Sequence, residues 1–220
     1  MTKRSYNQYC GLAVALDLLG ERWTMLVLRE LLLGPRRFKD LLDGLPGIGT
    51  GLLSQRLKEL EAAGVIDKAT LPPPAGSNVY RLTEDGESLR PVLLGLTRWG
   101  MTRLGTPEAD QYISSETLAV AVAARFNPAT AHDAAGTHRL DIDARPFLLD
   151  IANGQVSVRA GEADRPVVSI STDSGSLIAL INGTRTLADS LAEGFIAIDG
   201  DPAAIMALAR AFDLAASEPE

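Results

Sequence analysis

Between residues 49 and 66 the chain reads GTGLLSQRLKELEAAGVI, and its apolar positions Leu53, Leu57 and Leu60 recur at i, i+4 and i+7. That spacing marks one face of a helix. At roughly 100° per residue, the opposite side carries Gly51, Ser54, Gln55, Lys58 and Ala62. These residues are small or able to hydrogen-bond, one is a cation, and no carboxylate stands in the row. A helix used only for packing has no need of such a face.

The same reading along the chain predicts further elements. Residues 12–19 form a short helix, and 23–33 (WTMLVLRELLL) form a longer one ended by Gly34-Pro35. Residues 36–45 place Phe38, Leu41, Leu42 and Leu45 at helical spacing, and the glycines of PGIGTG end that helix. Thr50 is placed to N-cap the helix at 50–63, which Gly64 stops. Residues 65–70 and 79–83 read as strands joined by the Pro/Gly-rich loop LPPPAGSN. Thr83 caps a last helix over 84–104, carrying Leu89, Val92, Leu93, Leu96 and Trp99. Helix, helix, turn, helix, hairpin, helix is the order of a winged helix-turn-helix; a small helical bundle with an accidental hairpin is the alternative.

Beyond a short joint, GTPEAD at 105–110, the pattern changes. A helix begins at Ser114 or Ser115 and stops at Asn127-Pro128. FLLDIANGQVSVR has Asn153-Gly154 between two alternating runs, a strong signal for a two-residue hairpin. Residues 166–171 read as a strand, DSGSLIALING and TLADSLAEG as helices, and FIAIDG as a strand. Asp201 and Pro202 fit the N-cap and first-turn positions of a closing helix. The fold class is α+β, with a mostly antiparallel sheet in the second part, and the expected domains are 1–105 and 106–220.

Composition then sharpens this picture. The 220-residue chain has a formal charge of −7, but the charge is unevenly placed. Residues 1–105 hold fourteen Lys and Arg against eleven Asp and Glu, a net +3; residues 106–220 hold seven against seventeen, a net −10. Such asymmetry suggests two units with different partners. A mildly basic half can still bind DNA, because phosphate contacts depend on the local patch. One cysteine, no membrane-length apolar run and no signal-peptide pattern point to the cytoplasm, with no membrane partner.

In a helix-turn-helix the second helix enters the major groove and presents short polar side chains and cations to base edges. The candidate DNA-binding set is therefore Thr50, Gly51, Ser54, Gln55 and Lys58 on the helix at 50–63. Arg36, Arg37 and Lys39 join it at the start of the preceding helix, where cations and amides commonly hold a phosphate. Arg56 lies on the flank of the apolar stripe, so a phosphate contact and an internal ion pair are equally open to it. The wing tip has no cation; Lys68 and Arg81 flank it on the strands, which favours backbone contacts there.

No catalytic constellation emerges. His132 and His138, near Asp133 and Asp141, fall in a polar connecting segment without a nucleophile elbow or metal-ligand spacing, and read as surface histidines. GIGTG at 47–51 follows a helix where a dinucleotide loop follows a strand. Asn182-Gly183-Thr184 fits a glycosylation triplet that a cytoplasmic protein does not use. Neither enzyme activity, a cofactor nor a metal site is expected.

Two family resemblances add to this. The run CGLAVALDLLGERWTMLVLRELLLGPRRFKDLLDGLPGIGTGLLSQRLKELEAAGVI, followed by YRLTEDGESLRPVLLGLTRWG, resembles the HxlR-type regulators, relatives of the MarR proteins, over about residues 9–104. The resemblance implies a homodimer that binds a palindromic operator in double-stranded DNA through two winged helices. Some members of that family sense electrophiles or oxidants through this cysteine, so the resemblance admits a redox sensor at Cys10; the alternative is an inert, partly buried thiol in a dimer-forming N-terminus. Gly11 departs from the family, which usually has proline there. Residues 112–214, with LDIANGQVSVRAG, PVVSIST and LIALINGTRTLADSLAEGFIAIDGD, resemble the sterol carrier protein 2-like fold. That resemblance implies an apolar cavity for a lipid or acyl chain; the alternative is a filled core serving dimerisation. The function expected is a ligand-controlled transcriptional regulator, and the alternative is a lipid-binding protein whose winged helix only dimerises.

Overall fold

The computed structural model describes residues 5–72 and 76–214. Two compact units divide at Leu93/Leu94. The first contains α1 (Gly11–Leu19), α2 (Thr24–Leu31), α3 (Phe38–Gly44), α4 (Thr50–Ala62), β1 (Ile66–Thr70), β2 (Asn78–Leu82), α5 (Glu84–Ser88) and the start of α6 (Arg90–Met101). Its core is the apolar stripe of each helix turned inward: Val27, Leu28 and Leu31 from α2, Leu41 from α3, and Leu53, Leu57 and Leu60 from α4 are all buried. Burial of this many branched side chains, at about 1.5–3 kcal/mol each, is what holds such short helices in place.

The wing is an antiparallel pair, Ile66 opposite Leu82 through Thr70 opposite Asn78. Arg36 adds a third, one-residue strand: its N–H donates to Tyr80 O at 2.9 Å and its carbonyl accepts from Tyr80 N at 2.8 Å. Thr83 fixes the exit of the wing. Its hydroxyl donates to Gly64 O at 2.6 Å and accepts from Gly86 N at 3.1 Å. A Cβ on Gly86 would meet Val65 O at 2.1 Å, so this approach of α5 to β1 requires glycine.

Two expectations are corrected here. Gly49, not Thr50, occupies the N-cap of α4, without a side-chain hydrogen bond, and Thr50 is the first helical residue. The helix expected over 84–104 is broken at Leu89 into α5 and α6 and ends at Met101. Pro91 supplies the reason: it has no N–H to donate back to Glu87, and its ring crowds that carbonyl.

The second unit is built on a five-stranded sheet in the order β5-β4-β3-β6-β7, comprising β3 (Gly136–Ile142), β4 (Arg145–Ala152), β5 (Gln155–Ala160), β6 (Val168–Thr172) and β7 (Ile196–Gly200). Only the β3–β6 pair is parallel. Four helices accompany it: α7 (Ser115–Ala124), α8 (Ser174–Ile181), α9 (Leu187–Ala192) and α10 (Pro202–Ala211). Their N-caps are Ser114, Asp173, Thr186 and Asp201, each accepting a backbone N–H of its own first turn. Asn153 and Gly154 take φ of 53° and 71°, the left-handed pair that a tight β-hairpin demands.

β3 corrects the sequence reading. The segment expected to be a polar connection is a central strand, and His138 is not a surface residue but 1% exposed within it. The register places His138 opposite Leu149, and Leu140 opposite Phe147, on the sheet's apolar face. The β3–β4 turn places Asp143 and Ala144 at φ of 52° and 61° without a glycine. Asp143 is held there because its carboxylate accepts from Ser174 N at 3.0 Å and from the Ser174 and Ser115 hydroxyls, joining the starts of α7 and α8. Those hydrogen bonds, from Ser174 first, hold its carboxyl below the usual range.

Candidate nucleic-acid interface

α4 presents the face that the sequence outlines. Thr50, Gly51, Gln55 and Lys58 are exposed, and Ser54 is half-buried. Among the described residues, Lys58 enters no ion pair or side-chain hydrogen bond. A Cβ on Gly51 would meet nothing within 4 Å, so its lack of a side chain leaves the backbone open from outside. The face owes its position to the opposite stripe: with Leu53, Leu57 and Leu60 inward, these residues point to solvent.

A carboxylate, Glu59, stands beside the row. Gln55 Nε2 donates to Glu59 Oε1 at 2.9 Å, and Glu59 also pairs with Arg56 Nη1. The i+4 and i+3 spacings to Gln55 and Arg56 made this legible. Arg56 is itself buried, 8% exposed, and its other amino group lies 3.2 Å from Glu21 Oε2. Arg56 thus has an internal ion pair, one of the two roles expected of it.

At the start of α3, Arg37 is exposed and its N–H donates to Asp40 Oδ2 at 3.0 Å. Lys39 is exposed and pairs with Asp43 at 2.8 Å, an arrangement that raises its pKa. Arg36 behaves differently: its Nε reaches toward Glu30 O at 3.5 Å, and its Nη2 is buried without a partner among the described residues. On the wing, Lys68 pairs with Glu61 at 2.7 Å and lies over the Tyr80 ring, whereas Arg81 grips Asp67 at 2.7 and 3.0 Å. The hydrogen bond from Arg81 lowers the Asp67 pKa. Lys68 and Arg81 sit at consecutive register positions, so they project from opposite faces of the hairpin. A duplex laid on one face meets only one of them. Exposed pairs of this kind are weak and readily exchanged for a phosphate.

Cys10 is exposed and immediately precedes α1. Lys3 and Arg4, the cations nearest to it in sequence, lie outside the described residues. No group of three or more His, Cys, Asp and Glu among the described residues could hold a metal ion, and no helix is long and apolar enough to cross a membrane.

The second unit has a partly open apolar cavity of about 70 Å³ between its sheet and helices. Leu140 and Ile170 line it from the sheet, and Val122, Leu177, Ile205 and Phe212 from the helix side. Its volume is that of a few waters and its lining is apolar. Ligand pockets for drug-sized molecules run to roughly 300–1,000 Å³.

Residues 18–108 match the HxlR-like helix-turn-helix family, and residues 123–213 match the SCP-2 sterol transfer family. Among relatives, an uncharacterized HTH-type transcriptional regulator, sll1512, of Synechocystis is 41% identical over 91 residues, covering 41% of this chain and 67% of that one. The HTH-type transcriptional regulator YodB of Bacillus subtilis is 38% identical over 85 residues, covering 39% of this chain and 76% of YodB. The solved reduced form of YodB aligns with 46% of this chain and 100% of its own at 32% identity, with a TM-score of 0.39.

Proposed function

The chain belongs to the HxlR-like helix-turn-helix family, and from that premise we propose that it is a DNA-binding transcriptional regulator. The observation that carries this reading is the outer face of α4, with Gly51, Ser54, Gln55 and Lys58 in one row and Lys58 uncommitted. Gln55 has the amide that pairs with adenine in the major groove, and Lys58 the charge for a guanine or phosphate. Arg37 and Lys39 at the start of α3 suit the adjacent phosphates.

The working form is a homodimer on a palindromic operator, acting in the cytoplasm. Support comes from apolar side chains left uncovered in the single chain: Leu12 and Leu16 on α1, and Val92, Leu96 and Trp99 on α6. The last three recur at i, i+4 and i+7, one face of a helix. Residues 1–105 form the DNA-binding and dimerising domain in this reading, and 106–220 the SCP2-like receiving domain. An apolar ligand in the second domain alters DNA affinity. Because the cavity holds only about 70 Å³, a lipid-sized ligand must displace the helices that line it, and that displacement is the signal. The test is equilibrium binding of the full chain to duplex DNA across a salt titration. A regulator binds with an affinity that falls steeply with salt; a lipid-binding protein with a merely dimerising wing does not.

A further inference from the structure

The turn between α1 and α2, Gly20 to Trp23, touches the recognition helix at one place and the loop that leads into it at another. Glu21 Oε2 lies 3.2 Å from Arg56 Nη2, on the second turn of α4. The edge of the Trp23 ring lies against Gly47, so that a Cβ there would be 3.6 Å from Cη2 and 3.7 Å from Cζ2. Gly47, at φ +95°, belongs to the loop that delivers the chain into α4. Trp23 itself is the N-cap of α2 at φ +78°, ψ −20°, a left-handed conformation that bulky residues avoid. A strained backbone persists only where its surroundings hold it, and such positions gather where geometry serves function.

Arg56 completes the arrangement. Its guanidinium is nearly buried, joined to Glu21 on one side and to Glu59 of its own helix on the other. Its Nε is buried and has no partner among the described residues. Glu59 belongs to α4 itself, so of the two carboxylates it is Glu21 that ties the guanidinium, and with it the rotation of α4 about its axis, to the α1–α2 turn. Rotation is what matters for reading bases, since a small turn of the helix moves Gln55 off its base edge while Lys58 can still follow a phosphate.

We propose that Glu21, acting through Arg56, is a positioning residue that sets the orientation of the recognition helix and so the operator preference of the protein, without touching DNA. The proposal rests on the reading of α4 as the recognition helix. It makes Arg56 a structural fork where its place beside Ser54 and Gln55 would otherwise suggest a phosphate contact.

The experiment uses the full chain with two probes: a duplex that wild type selects from a random pool, and a scrambled duplex of the same composition. Affinities are measured against salt for wild type, Glu21→Gln, Arg56→Gln and the double variant, with thermal unfolding as a check that each is folded. The expected result is a preference for the selected duplex reduced about 5- to 10-fold in each single variant. The double variant is no worse than either single one, because both substitutions break the same pair, and the salt slope stays at the wild-type value. A slope lower by about 1 in Arg56→Gln alone, with Glu21→Gln like wild type, makes Arg56 a phosphate contact and overturns the proposal. Unchanged preference in all variants overturns it as well, while leaving DNA binding intact. Absence of salt-dependent binding by wild type defeats the reading of α4 itself.

Discussion

His138 is the residue that the chain conceals best. In sequence it is one of two histidines in a polar stretch, yet the alternation Thr137, His138, Arg139, Leu140, Asp141, Ile142 puts it at an inward position of β3. The pattern was legible, but a histidine at an apolar position and a turn without glycine, Asp143-Ala144, hid the strand. Its Nε2 lies 2.9 Å from Ala134 O; a carbonyl only accepts, so Nε2 carries the proton. Nδ1 is buried and has no partner among the described residues. Burial is the main cause of a pKa below 6.5, opposed by the Ala134 hydrogen bond and by Asp150. With the folded value below the unfolded one, the unfolded chain binds the proton first on acidification. Stability is therefore lost as pH falls below about 6.5, and the loss levels off below the folded value. Asp143, also lowered, acts in the separate carboxylate window at lower pH. His138→Gln keeps a donor for Ala134 O and removes the titration. Its melting temperature should fall less than that of wild type between about pH 7 and about pH 5; equal slopes would show that His138 has no part in the acid sensitivity.

At the scale of elements, caps and stop signals carried most of the information. Ser114, Asp173, Thr186 and Asp201 start helices as their side chains dictate, and Gly64 ends α4 at φ +75°. What the pattern could not convey was the break at Leu89, because the apolar spacing runs on through Pro91 while the hydrogen-bond ladder does not. Nor could it distinguish inward from uncovered apolar residues on α6. Leu93 is buried, but Val92, Leu96 and Trp99 are 55%, 48% and 58% exposed. A row of this kind marks an interaction surface in a folded protein. Leu96→Glu places a charge in the middle of the proposed dimer contact and removes nothing from the core. It should convert the dimer to monomer in sedimentation equilibrium and weaken operator binding at least tenfold, since one half-site is lost. A variant that remains dimeric moves the interface elsewhere.

At the scale of the whole molecule, the sequence divides by charge, net +3 against net −10 over residues 1–105 and 106–220. Two family models match separate parts of the chain, residues 18–108 and 123–213. Whether the second domain's apolar positions filled a core or enclosed a void was beyond the sequence, because both need the same residues. The answer lies between: a lined space of about 70 Å³, apolar but small. The proposed ligand is apolar, and uncharged or cationic given the net −10 of residues 106–220. If such a compound changes operator affinity by some factor, operator must change the compound's affinity by the same factor. Calorimetric titration of the compound into free and operator-bound protein checks this; equal affinities in the two states would remove the sensor role while leaving DNA binding untouched.

The central claim is that DNA is recognised through the outer face of α4, and the most direct measurement compares wild type with the Ser54→Ala/Gln55→Ala/Lys58→Ala variant on the selected duplex across a salt titration. The variant's circular dichroism should match wild type, because none of these three side chains belongs to the buried stripe. The account predicts that its preference over scrambled DNA collapses, by about 1–3 kcal/mol for the Gln55 contact alone, and that its salt slope falls by about 1 for the loss of Lys58. A folded triple variant with wild-type affinity, preference and slope would contradict the account.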